Sequence, residues 1–142
     1  MNDRSSISFY GGVGNATGAN FLFSISSGAE KPIRALIDCG LLQGTSYATE
    51  ENAKVFSYDP TSIEYLFVTH AHADHIGRIP KLVKEGFRGQ IFSTPETKAI
   101  ADLMFADAYR EYRDQLSFID EAPQALSFLP QGLLDDEKIA LT

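Results

Sequence analysis

All three histidines of this chain fall in one hexapeptide, His70-Ala71-His72-Ala73-Asp74-His75. Neutral imidazole and carboxylate are donors that suit Zn²⁺, with manganese or iron admissible as a ligand set grows richer in oxygen. The spacing adds geometry. Residues two apart in an extended segment point the same way, so His70 and His72 can converge on one ion. Asp74 and His75 come where the chain turns, and they project towards a second ion close by. An isolated histidine is ordinarily a surface or satisfied core residue. Three in six residues, interleaved with an aspartate and followed by Gly77 and Pro80, form a metal-binding pattern.

The elements that must carry these residues are legible around them. SIEYLFVTH, rich in β-branched and aromatic residues, predicts a strand that delivers the chain directly to His70. The carboxyl end of a strand is where α/β sheets usually place their sites. Upstream, ISFYGG, NFLFSIS and IRALIDCG are apolar runs bounded by Gly, Ser, Asn and Pro, and SGAEKP supplies a hairpin connection between the last two. Downstream the period changes. Pro80 suits the first turn of a helix, Ile79, Leu82 and Val83 share one face, and Gly86 stops it. GQIFST is a short strand, after which Thr94 caps a long helix with Pro95 first and Glu96 near its positive end. The four-spaced stripe Ile100, Met104, Ala108, Tyr112 and Leu116 predicts the face that this helix lays on the core. LLDDEKIALT begins like a helix, with Asp135 as its cap, and then the chain stops, as a cut would leave it. The expected class is α/β, a mixed sheet with flanking helices.

The totals narrow the field. A length of 142 residues suits one domain, and 44% hydrophobic with 22% charged residues is a globular balance. The single cysteine, Cys39, cannot form an internal disulfide, which fits a reducing cytoplasm. No secretory signal opens the chain, and no apolar run approaches the roughly 18 residues of a bilayer span. A formal charge of −7 leaves no basic footprint for nonspecific polyanion binding. GGVGNATG is not a dinucleotide fingerprint, because the strand-like NFLFSIS follows it where a helix would have to start. A turn between two strands suits its glycines.

HAHADH matches the HxHxDH signature of the metallo-β-lactamase fold superfamily. The longer THAHADHIGRIPKL resembles the β-CASP branch, the RNA- and DNA-processing nucleases related to the cleavage and polyadenylation endonuclease. GGVGNATGANFLF is similar to that branch's opening hairpin, although Asn15 and Ala16 replace an acidic-aliphatic pair. LIDCGLLQG resembles its first metallo motif, with Asp38 the matching acid, and IFSTPETKAIADLMFADA resembles the strand and helix after the histidines. The resemblance implies that His70 and His72 hold one metal, and that Asp74 and His75 hold a second and count as catalytic. Asp38 would stand behind the ligands and steady them by hydrogen bonding. The turn at GGVGNATG would lie near the metals.

The family's site also uses a further histidine on each metal and a bridging aspartate, and this sequence has no fourth histidine. Residues 1–142 are therefore expected to be the amino-terminal part of a metallo-β-lactamase αβ/βα sandwich, truncated, without the β-CASP insert, and inactive alone. For the complete protein the resemblance implies hydrolysis of RNA phosphodiester bonds by hydroxide formed between two zinc ions about 3.5–4 Å apart. Two other readings stay open: a small-molecule hydrolase such as a thioesterase or lactonase, and a noncatalytic interaction module that retains metal ligands.

Overall fold

A computed structural model of the protein describes residues 5–26 and 31–116. Among the described residues five strands form one sheet in sequence order: β1 (Ser6–Gly11), β2 (Asn20–Ile25), β3 (Ile33–Ile37), β4 (Tyr65–Phe67) and β5 (Gln90–Phe92). β2 pairs antiparallel with both β1 and β3, and β3, β4 and β5 run parallel. The sheet is thus mixed, as the alternation of runs predicts. The β2–β3 pairing, with Ile25 opposite Ile33, has hairpin topology; Ser27–Glu30 of the expected turn lie outside the described residues.

Among the described residues four α-helices accompany the sheet: α1 (Ala48–Ala53), α2 (Ala73–Ile76), α3 (Ile79–Lys84) and α4 (Pro95–Leu116). The core lies on one face. Register places Leu22 opposite Leu36, Leu36 opposite Leu66 and Leu66 opposite Ile91, so one apolar row crosses β2 to β5. Ile76, Ile79, Leu82, Phe87 and Ala101 pack on that row. Each such Leu or Ile contributes about 1.5–3 kcal/mol by leaving water. This layer seats α2, and hence the histidines, at the carboxyl end of β4. The opposite face carries a second row, Phe9, Phe21, Ile37, Phe67 and Phe92, in which Phe67 and Phe92 stack at 5.2 Å. Phe9 and Phe67 are exposed among the described residues.

Local expectations hold at the helix starts. Pro80 falls in the first turn of α3. Pro95 opens α4, where Thr94 Oγ1 accepts from the Thr97 N–H at 3.2 Å. Three readings need correction. The fourth strand is shorter than SIEYLFVTH, because Asp59 caps a 3₁₀ turn at Pro60–Ser62 and removes the start of that run from the sheet. The third strand stops at Ile37, because Asp38 adopts φ 59°, which a strand cannot continue through. The stripe through Ile100 is only partly the buried face of α4: its Met104 packs on the core, but Ile100 and Ala108 are exposed, and the face turned inward runs through Thr97, Ala101, Met104 and Phe105. A spacing of four drifts around a helix of 3.6 residues per turn, so a strict i, i+4 row leaves the contact line. The side chains of Tyr112 and Leu116, and all of LLDDEKIALT, lie outside the described residues. The segment holding α1 and the 3₁₀ turn carries no strong period, and no element is predicted there. No helix among the described residues is long and apolar enough to cross a membrane.

Candidate metal centre

Three segments meet at the carboxyl ends of β3 and β4. Asp38 follows β3, Thr69 to His72 follow β4, and α2 carries Asp74 and His75. Main-chain bonds tie them: Cys39 N–H donates to the His75 carbonyl at 2.7 Å, Leu41 N–H to Ala73 O at 3.0 Å, and Ala19 N–H to Asp74 O at 2.9 Å. Gly40 lies where this approach is tightest. A Cβ there would fall 1.6 Å from the Asp74 carbonyl oxygen, so only glycine fits. Arg78 adds a strut from its Nε to the Gly40 carbonyl at 2.7 Å.

The hexapeptide itself bends as its spacing requires. His72 is extended, with φ −75° and ψ 148°, and α2 begins at the next residue. The imidazoles of His70 and His72 stand 4.7 Å apart between ring centres, and those of His70 and His75 stand 3.9 Å apart. The three rings are gathered rather than splayed. His75 Nε2 faces Asp74 Oδ2 at 3.6 Å.

Asp38 is buried behind them. One carboxylate oxygen accepts from the Thr69 N–H at 2.8 Å, and the other accepts from Thr69 Oγ1 at 2.8 Å and lies 2.7 Å from His75 Nδ1. Asp38 can aim both oxygens this way because its backbone is left-handed, a region that Asp tolerates better than most residues. Asn20, itself fully buried, donates from Nδ2 to the Asp38 carbonyl at 3.2 Å and holds that turn. A carboxylate only accepts, so Nδ1 of His75 carries the proton and Nε2 keeps its lone pair for a ligand.

The donor types fit a divalent cation: imidazole nitrogens and one carboxylate, with a ring braced from behind. The set is incomplete. Among the described residues no three His, Cys, Asp or Glu side chains are disposed to enclose one ion. Cys39 does not extend it. Burial pushes its thiol up to about 12, against the pull of the Arg78 guanidinium, and only a thiolate would ligate.

Thr69 and Asn20 have no role in the sequence reading. Thr69 adjoins the histidines in the run THAHADH, so position is its only signal; Asn20 sits in NFLFSIS like any strand-opening polar residue. The loop GGVGNATG is a turn between β1 and β2, with Gly12, Gly14 and Gly18 at positive φ, and it lines a cleft of about 210 Å³ together with Arg78 and Asn52. Its end touches the site through the Ala19–Asp74 bond.

Known proteins are similar to this chain in sequence. Ribonuclease TTHA0252 of Thermus thermophilus is 35% identical over 96 residues, which are 68% of this chain and 22% of that protein. Transcription termination factor FttA of Methanosarcina mazei is 34% identical over 102 residues, 68% of this chain and 14% of its own length. Cleavage and polyadenylation specificity factor subunit 3-I of Arabidopsis thaliana is 39% identical over 74 residues, 51% of this chain and 10% of its own length. The chain therefore spans less than a quarter of the length of these curated relatives. The resemblance to nucleases of the cleavage and polyadenylation kind holds. A family model described as the metallo-beta-lactamase superfamily matches residues 34–130, from β3 through the histidines and beyond α4, and the chain belongs to that superfamily.

Proposed function

We infer that this chain contributes the HxHxDH half of a dinuclear metal site in a hydrolase that cuts RNA phosphodiester bonds. The observation that carries this reading is the gathering of His70, His72 and His75 beside Asp74, with His75 braced by Asp38 at 2.7 Å. The names of the relatives, a ribonuclease and a cleavage and polyadenylation factor, support RNA as the substrate class. His70 and His72 would hold one zinc ion; Asp74 and His75 would hold the other. When bound, such ions supply Lewis acidity towards a phosphoryl oxygen and acidify water near neutral pH. The protein's own part is orientation. Asp38 keeps the proton on His75 Nδ1, and the main-chain bonds from residues 39–41 to residues 73–75 hold α2 against β3.

Two protein ligands per ion are fewer than the three usual for catalytic zinc. The reading therefore assigns this chain to the amino-terminal part of a longer metallo-β-lactamase domain, which supplies the remaining donors. It also expects the 142-residue chain to bind zinc weakly and to show no turnover. The same ligand deficit favours a second reading, a noncatalytic metal-binding module. The two separate in a protein that carries this chain with its remaining domain: zinc-dependent cleavage of labelled single-stranded RNA, abolished by His72→Ala, is the expected result. Intact RNA, alongside hydrolysis of a thioester or lactone, would overturn the substrate; no hydrolysis of any of them would favour the module.

A further inference from the structure

We propose that Thr69 is a positioning residue that relays the Asp38 charge to His70, so that one buried carboxylate sets the tautomer of a ligand to each metal. The inference rests on the metal-site reading for its purpose and on hydrogen-bond accounting for its content. The Thr69 hydroxyl has one proton and two lone pairs. It lies 2.8 Å from Asp38 Oδ2, 3.0 Å from His70 Nδ1 and 3.4 Å from His75 Nδ1. Asp38 is acceptor-only as a carboxylate, so the hydroxyl proton goes to Oδ2. The hydroxyl oxygen must then accept at its contact with His70, and Nδ1 of His70 must be the donor. His75 reaches the same end directly, since its Nδ1 lies 2.7 Å from Oδ2. Both rings are thereby left with an unprotonated Nε2, the nitrogen a cation needs.

The alternative tautomer loses a bond: were His70 to carry its proton on Nε2, its Nδ1 would take the Thr69 proton, and buried Oδ2 would keep only the His75 Nδ1–H of its two side-chain donors. The Thr69 N–H, at 2.8 Å from Oδ1, keeps the side chain in place for this duty. Among the described residues the side-chain hydrogen bonds of Thr69 and Asp38 go to one another, to His70 and to His75, so His72 stands outside the relay and its tautomer supplies an internal control.

The test reads tautomers without metal. In the metal-free chain with ¹⁵N-labelled histidine, long-range ¹H–¹⁵N spectra near pH 8 should show His70 and His75 both protonated on Nδ1. Thr69→Val, close in shape but without a hydroxyl, should move His70 to the Nε2-protonated form and leave His75 unchanged; Thr69→Ser should restore His70. Zinc affinity should fall roughly tenfold in Thr69→Val and recover in Thr69→Ser. Thr69→Ala gives the same readout should the valine variant not fold. A wild-type His70 protonated on Nε2, or one whose tautomer ignores loss of the hydroxyl, overturns the relay. Failure to bind zinc by the wild-type protein that carries this chain with its remaining domain would instead overturn the metal-site reading, and leave the tautomer result standing.

Discussion

Asp38 Oδ2 lies 2.7 Å from His75 Nδ1, across 37 positions of sequence, and the aspartate makes this contact from a left-handed backbone at φ 59°. One buried residue thereby joins the end of β3 to the first turn of α2. The consequences can be measured.

Asp38→Asn keeps a residue that tolerates the left-handed region but offers an amide where the carboxylate stood. Zinc affinity should fall 10- to 100-fold, as expected when the group behind a ligating histidine is replaced. Chelator competition measures it. Unchanged affinity would remove Asp38 from the site.

Asn20→Ala leaves the buried Asp38 carbonyl without its amide donor. An orphaned buried acceptor costs about 1–3 kcal/mol, read from urea unfolding. Because the lost bond holds the turn at Asp38, the His75 Nδ1–H signal should weaken as well. A variant as stable as the wild type would show that the amide holds nothing.

Gly40→Ala and Gly14→Ala separate close approach from backbone conformation. A methyl group at Gly40 meets the Asp74 carbonyl at 1.6 Å, whereas at Gly14 it meets nothing within 4 Å and pays only for φ 77°. Gly14→Ala should therefore cost about 1–2 kcal/mol, and Gly40→Ala should unseat α2 or abolish folding. Comparable melting temperatures for the two would contradict the tight seam between residues 38–41 and α2.

Alkaline pH should weaken the fold through Cys39. Burial raises its thiol from 9.0 to about 12, so the folded chain holds a proton that the unfolded chain releases. The stabilisation is full below pH 9 and is lost progressively as pH rises towards 12. Cys39→Ser, which does not ionise in that window, should flatten the slope of stability against pH between these limits; an identical slope would place the alkaline loss elsewhere.

Much of this molecule was written in local pattern. The strands, Pro80, Thr94 and Pro95 declare themselves through period and capping, and the hexapeptide His70–His75 raises the expectation of metal ligands because donor type and spacing are properties of adjacent residues. Where a pattern depended on contacts it misled. The four-spaced stripe in α4 pointed to Ile100, but of its described members only Met104 packs on the core, beside buried Thr97 and Ala101, because contact with the core, not the best-looking row, decides which face is buried. Asp38 could be read only as a match to a motif. That its carboxylate closes on both Thr69 and His75, and that Asn20 pins its carbonyl, came from the tertiary structure alone, because hydrogen bonds between β2, β3 and α2 join residues 18 to 37 positions apart, and no local spacing encodes such distances.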